Sequence, residues 1–450
     1  HTAGTFELDV PAGPLTLEAM RGFEFTPARA TVDVPAGGTV EVELRLRRLL
    51  DAPARGWYSG DTHVHDLHHG RFGLSHRQFF DQLVAEDLHV TNALIHMDGT
   101  RLMGRWDDLT GKPHPLSTRE HILQYGEEFR GSLGHIGLLG ISRYVLPFTG
   151  GSPNTPYAQP ELDAKYLDAA REQGGIAGYL HPYNRAAAEP AGYAGTLIAV
   201  DAALGKGDFY DIGALVSDEM ASAEFYYRLL NCGFRIAATA GTDNFSDVWR
   251  DPPPGADRTY VRTEGPLSLR TWMEGIKAQR TFATTGPLVF FTVNGKGPGE
   301  EVALGSGSAA AVQVKAEAVS IAPMEKLDVI VKGRVAQSVV ASTDAHRVAL
   351  DASVAVPDGG WVAIRVVGPS SKYVSDSYAF AQTSPVYVVR AGTRWTSAED
   401  ATFLAQVVDA IWARVDGPRA RWRTPAERET FKAAIDRARV VYRQIATESR

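Results

Sequence analysis

Histidines are concentrated in one part of the chain. Eleven of the thirteen histidines lie between His63 and His181, and only His1 and His346 lie outside that stretch. The segment GDTHVHDLHHG, residues 60–70, alone contains four of them. Imidazole is a common metal ligand and the side chain that most readily gains or loses a proton near neutral pH. The clustering therefore predicts a functional site in this part of the chain.

His63 and His65 are the first candidate pair of ligands. Side chains two residues apart in a strand point to the same face, so two imidazoles there can bind a single cation. The alternative is a pair of polar residues on a solvent-exposed face. Apolar neighbours favour an inner strand, where an unpaired polar group costs about 2–7 kcal/mol.

Other polar residues lie at the ends of predicted apolar strands. Glu128 and His135 lie in GEEFRGSLGHIGLLG, His181 follows the strand GIAGYL, and Asp243 follows RIAATAG. Alternatives are a capping or core-edge role for His135 and a turn or helix-cap role for Asp243. Because sites form at the carboxyl ends of parallel strands, we expect these residues to lie together.

Nitrogen and oxygen ligands of this kind suit Zn²⁺, Mn²⁺ or Fe²⁺. Cys232 is the only cysteine, which excludes a thiolate zinc site and an internal disulfide. A carboxylate that bridges two cations would generate a metal-bound hydroxide at neutral pH, which is hydrolysis chemistry. No Gly-x-Ser-x-Gly motif or cysteine nucleophile indicates a covalent route.

The predicted fold class is α/β. The sequence divides the chain into four regions, of which the second contains the candidate ligands. Residues 1–50 alternate apolar and polar residues and predict a small β-sandwich. Residues 56–285 alternate strands with helices in about seven units, which indicates a barrel or a large doubly wound sheet. Residues 286–394 predict a second β-sandwich, and residues 395–450 a C-terminal helical hairpin.

The composition limits the kinds of partner that the chain is expected to bind. A net charge of −7 argues against a nucleic-acid binder, and no apolar run is long enough for a membrane span. We expect a small-molecule substrate, with glycan contact through the β modules as a further option. The chain begins at His1 directly before strand-like sequence, and we expect an extracytoplasmic protein whose signal has been removed.

Four motifs in order, GWYSGDTHVH, GEEFRGSLGHIGLLG, HPYN and AGTDN, resemble the PHP (polymerase and histidinol phosphatase) superfamily, and most closely its CehA/McbA-like metallohydrolases. The later DRTYVRT and AQRTFATTGPLVFFTVNG resemble the same branch. The resemblance covers residues 55–295 and implies a distorted seven-stranded β/α barrel. Residues 1–50 resemble a carboxypeptidase-regulatory-like module.

The resemblance also implies roles for the candidate ligands. His63 and His65 would bind a first metal, and Glu128 would bridge. His135 and His181 would bind the second metal, and Asp243 would be a further ligand of the first metal. Asp243 and His181 are the expected catalytic residues.

The chain departs from the motifs of the family at three places. The family has Asp-His after its second strand, where this chain has His96 and Met97. Phe245 replaces the histidine of the final Asp-x-His, and Gly70 or a neighbour replaces an acidic residue. These changes remove most ligands of a third metal, so we expect one or two divalent metal ions.

Several neighbouring residues have no assigned ligand role. His68, His69 and His96 would line the pocket or replace a lost ligand, although His68 and His69 also fit solvated loop histidines. Asp61 is expected to orient His63 or His65 as an acceptor behind them. The expected substrate contacts directly follow His181, and they are Tyr183, Asn184 and Arg185.

The predicted function is a metal-dependent hydrolase that cleaves an ester, carbamate or phosphoester bond, and the barrel would equally suit phosphorylated sugars. Cationic side chains would favour phosphoesters, and the candidates are Arg101, Arg105, Arg185 and Arg250. The alternative is a degenerate barrel that binds a metal or glycan, or serves as a scaffold, without catalysis.

Overall fold

The computed structural model of the 450-residue chain describes residues 1, 4–68, 73–98, 101–150, 161–248, 251–306, 310–392, 394–418 and 420–449. The architecture is mixed α/β. It contains a large mixed sheet and, in these ranges, seven α-helices, of which the last two form a C-terminal pair.

The N-terminal strands form two separate two-stranded ladders. β1 (Gly13–Ala19) pairs antiparallel with β3 (Ala28–Val34), and β2 (Phe25–Thr26) pairs with β4 (Arg47–Arg48). Side chains of β1 and β3 alternate between half-buried and exposed, as the sequence pattern predicts. The alternation continues through 5–12 and 35–46, but the structure has no strand there. An alternating pattern becomes a strand only where a partner supplies the ladder of hydrogen bonds.

From Trp57 to Thr284 strands and helices are mixed, but the predicted alternation is only partial, because several consecutive strands have no α-helix between them. The elements are β5 (Trp57–His65), α1 (His76–Ala85), β6 (Val90–Asp98), β7 (Arg101–Met103), β8 (Ile122–Gly131), β9 (Gly134–Leu139), α2 (Ala164–Glu172), β10 (Ile176–Leu180), α3 (Ile198–Ala203), β11 (Phe209–Gly213), α4 (Glu219–Asn231), β12 (Ala237–Ala240), β13 (Asn244–Phe245), β14 (Arg258–Arg262), α5 (Leu269–Lys277) and β15 (Thr281–Thr284).

The strands that position the candidate ligands are adjacent in one sheet. β5, β6 and β8 are parallel neighbours. β9 pairs antiparallel with both β8 and β10, and β10, β11 and β12 are again parallel neighbours. β13 then pairs parallel with β5. Residues far apart in sequence are thereby brought to the last residues of β5.

Helix α1 shows how local sequence fixes these elements. The backbone N–H of Gln78 donates to Oγ of Ser75, and the Gln78 side chain accepts from the Ser75 backbone, which completes the predicted capping box. The buried residues Phe79, Phe80 and Leu83 recur at helical spacing and form the face that packs on the core.

The strands after residue 285 continue the same sheet. They are β16 (Leu288–Val293), β17 (Glu301–Leu304), β18 (Ala311–Val331), β19 (Arg334–Ala355), β20 (Gly360–Val367), β21 (Phe380–Thr383) and β22 (Val386–Arg390). β18 and β19 form a long antiparallel hairpin. Valines, leucines and isoleucines of this region form a core of their own, and the β15–β21 ladder joins it to the preceding strands.

The predicted C-terminal helical pair is confirmed. α6 (Ala398–Val415) and α7 (Pro425–Glu448) pack on each other and on α3. Tyr442 of α7 is fully buried, and its hydroxyl donates to the backbone oxygen of Ala199, 2.6 Å away. The pair is therefore part of the main core. Among the described residues, we find no helix that combines the length and hydropathy needed to cross a membrane.

Candidate metal centre

His63 and His65 lie at the end of β5 and are completely buried. Their Nε2 atoms are 3.0 Å apart. Nδ1 of His65 lies 2.9 Å from the backbone oxygen of Leu94. A carbonyl oxygen only accepts, so Nδ1 carries a proton, and in the neutral ring Nε2 has the lone pair that a metal ligand needs. The predicted pair of imidazoles on one strand face is therefore present, and both Nε2 atoms face the same space.

Glu128 lies between two pairs of histidines. Its Oε2 is 3.3 Å from Nε2 of His65 and 3.6 Å from Nε2 of His63. Its Oε1 is 2.8 Å from Nδ1 of His135 and 3.8 Å from Nε2 of His181. Each oxygen of one fully buried carboxylate thus faces a different pair of imidazoles, which is the arrangement of a bridging ligand.

Asp243 spans the same two pairs. Its Oδ1 is 3.2 Å from Nε2 of both His63 and His65, and its Oδ2 is 3.5 Å from Nε2 of His181. The resemblance assigned Asp243 to the first metal alone. The structure places its second oxygen beside the second histidine pair as well, so two carboxylates connect the pairs.

Strand pairing explains why these residues meet. Leu180 lies opposite His135 in the β9–β10 ladder, so His181 emerges beside it. The backbone N–H of Asp243 donates to the backbone oxygen of His63, 2.7 Å away, which aligns the residue with β5. These two contacts bring the later ligands to the first pair.

The backbone is strained at two of the ligands. His181 has φ of 30° and Asp243 has φ of 55°, in the left-handed region that residues with a side chain rarely adopt. Such conformations persist where the surrounding structure fixes them, and they are enriched at functional sites. Gly241 permits the approach of this turn to β5, because a Cβ there would lie 2.7 Å from the backbone nitrogen of His63.

The two carboxylates remain ionised although they are buried. Burial alone would raise the pKa of Glu128, but the charges of Arg130 and His63 and the close approach of the His135 ring hold it well below its usual value. Burial likewise opposes ionisation of Asp243, yet the neighbouring histidines lower its pKa. Two negative charges in a buried site require compensation by a proton or a cation.

The histidines respond to burial and to these charges in different ways. Burial lowers the pKa of His63 and of His135. Burial has the same tendency at His65, but the neighbouring carboxylates of Asp243 and Glu128 outweigh it and raise the pKa to about 9. Without a metal, His65 therefore carries the proton that partly neutralises the carboxylates, and a bound cation would displace it.

The polar atoms of the site are poorly satisfied by the protein itself. Within the described ranges, no hydrogen-bond partner is found for Oε1 of Glu128, Oδ1 of Asp243 or Nδ1 of His135. Oε1 of Glu128 and Nδ1 of His135 are 2.8 Å apart but lack the geometry of a hydrogen bond. Buried polar atoms normally have a partner, so atoms that converge without bonding each other fit a metal site.

Three overlapping triads have ligand atoms within 4.8 Å of one another: His63, His65 and Glu128; His63, His181 and Asp243; and Glu128, His135 and His181. Imidazole and carboxylate ligands suit Zn²⁺, Mn²⁺ or Fe²⁺. All six predicted ligands are therefore brought together, and they could hold a metal ion.

The site opens on one side. The side chains of His63, His65 and Glu128 are fully buried, whereas those of His135, His181 and Asp243 are 31%, 14% and 11% exposed. A ligand from solution would therefore reach the second histidine pair and Asp243 first.

Asp61 supports the centre through the backbone. It is fully buried and accepts from the backbone N–H of His63 at 2.9 Å and of Gly255 at 2.7 Å. It also accepts from the Thr242 hydroxyl at 2.6 Å. Burial raises its pKa to about 6 despite these bonds. Asp61 thus joins β5 to the turn that carries Asp243, rather than orienting an imidazole ring directly.

His96 and His68 form a second layer beside His65. The His96 ring is 4.2 Å from that of His65 and 5.3 Å from that of His68. His96 is completely buried, and neither of its ring nitrogens has a hydrogen-bond partner within the described part of the chain. The Phe245 ring covers this side, 3.8 Å from His68. His69 lies outside the described residues.

The residues after His181 lie in different environments. Tyr183 is buried, and its hydroxyl is 2.8 Å from Oγ1 of Thr196, so it packs in the core. Asn184 and Arg185 are exposed. Among these three predicted substrate contacts, only the last two are available to a ligand from solution.

The arginines that the sequence offered as phosphoester contacts also lie in different environments. Arg101 is exposed, and Arg105 donates to Oδ2 of Asp66 at 2.6 Å. Arg250 lies outside the described residues. Arg130, which was not predicted, contacts the centre, where its Nε donates to Oε2 of Glu128 at 2.9 Å. Its position two residues after Glu128 in β8 is the signal that would have identified it.

Comparisons of the chain with protein-family models, with curated proteins and with solved structures gave no match. The resemblance of its motifs to PHP metallohydrolases therefore stays a hypothesis.

Proposed function

We propose that this centre binds two divalent metal ions and hydrolyses an ester, carbamate or phosphoester bond of a small molecule. The observation that carries the proposal is the position of Glu128, whose two oxygens face the His63–His65 pair and the His135–His181 pair separately. A carboxylate in that position holds two cations close together, as two-metal hydrolases require.

We also propose that the strands around the centre form a distorted barrel of the PHP type. Seven strands, β5, β6, β8, β9, β10, β11 and β12, are neighbours in that order. The return of β13 to β5 supports closure of this row. The ligands lie at strand ends, where sites of β/α barrels are found.

The chemistry follows from the residues that hold the ions. Bound divalent cations lower the pKa of a water molecule and stabilise negative charge that develops on the substrate. Glu128 and the buried histidines would hold the ions away from solution. Asp243 and His181, which are partly exposed, lie 3.5 Å apart, and we assign both to contact the reacting groups. A lone pair of the Asp243 carboxylate that binds no cation would take up the proton.

Arg130 has a supporting role in this proposal. Its Nε donates to Oε2 of Glu128, on the side of the first histidine pair. The guanidinium keeps the carboxylate ionised, so Glu128 is ready to bind cations without first losing a proton. Arg130 acts through Glu128 and does not contact the reacting bond.

A turnover assay with metal-depleted and reloaded protein tests the proposal. Mn²⁺ or Zn²⁺ should restore hydrolysis of at least one of four chromogenic substrates: p-nitrophenyl phosphate, bis(p-nitrophenyl) phosphate, p-nitrophenyl acetate and a p-nitrophenyl carbamate. Glu128→Gln keeps the shape of the side chain but removes its charge, and it should abolish turnover. His346→Ala, a histidine remote from the centre, is the matched control and should not. Metal-independent rates in every case would contradict the proposal.

A non-catalytic metal-binding role is the second candidate, and one observation favours it. Phe245 places an apolar ring 5.3 Å from the His65 ring, where the family motif has a histidine. Stoichiometric metal binding without turnover of any of the four substrates would support this role.

A further inference from the structure

A second cluster of metal-binding side chains lies outside the centre described above. It consists of His76, Asp108 and His114, and we call it the His76 cluster. One ligand atom from each residue lies within 4.8 Å of the others. It shares no residue with the proposed catalytic centre, so the two sites can be tested independently.

Three separate elements supply the His76 cluster. His76 is the first residue of α1, directly after the capping residue Ser75. Asp108 ends a short 3₁₀ turn, Trp106–Asp108. His114 lies in the loop that leads to β8, where its backbone N–H donates to the Leu123 backbone oxygen at 2.8 Å. Each residue is therefore held by its own local structure.

The side chains converge. Nε2 of His76 is 2.6 Å from Oδ2 of Asp108, and the rings of His76 and His114 are stacked with centroids 4.8 Å apart. A tetrahedral zinc ion separates its ligand atoms by about 3.3 Å, given Zn–N and Zn–O bonds of about 2 Å. Small rotations of these half-buried side chains would achieve that separation.

The environment suits a cation that exchanges with solution. All three residues are half-buried, with 38% of the His76 side chain and 25% of the Asp108 side chain exposed. Burial lowers the pKa of His114, as does the nearby His76, which favours the neutral imidazole that a metal requires. The Leu116 backbone N–H donates to Nδ1 of His114 at 3.2 Å, and metal binding at this ring would replace that weak bond.

We propose that the His76 cluster is a peripheral site for one Zn²⁺ ion, with two imidazoles and one carboxylate as ligands and a fourth position open to solvent. Two nitrogens and one oxygen are a typical ligand set for this ion. A zinc ion at this site would link the start of α1 to the loop before β8, which includes the 3₁₀ turn.

The loop that carries Asp108 and His114 also contacts the end of β5. Arg105, next to the 3₁₀ turn, donates to Asp66, which directly follows His65. The Tyr125 hydroxyl also donates to Asp66, at 2.9 Å, and its ring is 6.0 Å from that of His114. Zinc in the His76 cluster would therefore stabilise the surroundings of the catalytic centre without touching it.

Zinc titration of chelator-stripped protein by isothermal calorimetry tests the proposal. His114→Ala should bind one equivalent fewer than the wild type, and zinc should raise its melting temperature by less than it raises that of the wild type. The double variant His63→Ala/His65→Ala should retain that equivalent. His76→Ala is a second, independent removal of a ligand and should give the same loss as His114→Ala.

The outcomes separate this proposal from the catalytic one. If the catalytic centre binds no metal, the wild type binds one equivalent and His114→Ala binds none. Equal zinc stoichiometry in wild type, His114→Ala and His76→Ala, each shown to be folded by circular dichroism, would overturn the proposal. His346→Ala, which removes a histidine far from both sites, should match the wild type throughout.

Discussion

Nε2 of His63 and Nε2 of His65 lie 3.0 Å apart in a fully buried site, and Oδ1 of Asp243 lies 3.2 Å from both. Two imidazole nitrogens and one carboxylate oxygen thus surround a single point at the end of β5. A buried cluster of this kind is costly unless a proton or a cation occupies it.

Replacing His63 with alanine should weaken metal binding without unfolding the protein. Even residues that only orient ligands change affinity by about 10–100-fold, so loss of a direct ligand should cost at least as much. Metal content after dialysis against a competing chelator measures the effect. His346→Ala is the control, and an unchanged metal content in His63→Ala would show that this imidazole is not a ligand.

Gly241→Ala should damage the centre although residue 241 contacts no metal. The new Cβ would lie 2.7 Å from the backbone nitrogen of His63, which forces the turn that carries Asp243 away from β5. Overpacking of this kind costs about 1–3 kcal/mol. Gly73→Ala is the matched control, because a Cβ there meets nothing within 4 Å.

Thermal denaturation and metal content of both glycine variants measure this effect. A Gly241→Ala protein with the stability and metal affinity of Gly73→Ala would show that the close approach of the turn to β5 is unimportant.

The positions of several candidate ligands could be predicted from strand periodicity and from the ends of strands. The spacing of His63 and His65 places them on one face, and His181 comes directly after a buried strand. The bridging position of Asp243 could not be predicted, because it depends on a backbone φ of 55° that brings its second oxygen to His181. Sequence patterns report periodicity but not the direction of the chain in a tight turn.

The same limit applies to the rest of the fold. Helix α1 and its capping box were predictable because the signal is local. The His76 cluster was not, since its residues come from a helix start, a 3₁₀ turn and a loop with no common period. The join of β15 to β21 depends on pairing between distant segments, which an alternating pattern does not specify.

Stability should fall as the pH rises because of Glu219. This glutamate is buried, and burial together with the neighbouring Asp376 raises its pKa to about 9. The folded state therefore binds a proton more tightly than the unfolded state. The resulting stabilisation is complete below the unfolded pKa near 4.5 and is lost as the pH rises to about 9, by up to about 1.4 kcal/mol per pH unit.

Glu219→Gln should flatten this dependence, since glutamine does not titrate. Urea denaturation midpoints between pH 5 and 9 measure the slope. Glu224→Gln, an exposed position in the same helix, should keep the wild-type slope. Parallel curves for Glu219→Gln and wild type would contradict the role of this carboxyl.

The C-terminal helical pair should contribute to the stability of the whole core. Ile435 of α7 is fully buried, whereas Val440 in the same helix is 60% exposed. Ile435→Ala should therefore cost about 2–5 kcal/mol, and Val440→Ala should change stability by less than about 0.5 kcal/mol. Chemical denaturation measures both, and equal effects would show that α7 does not pack as described.

The central claim is that Glu128 joins two metal ions, and anomalous diffraction from crystals grown with Mn²⁺ or Zn²⁺ tests it most directly. The account predicts two anomalous peaks, one between Oε2 of Glu128 and the His63–His65 pair and one between Oε1 and the His135–His181 pair. Crystals with saturating metal that show no peak within bonding distance of Glu128 would contradict it.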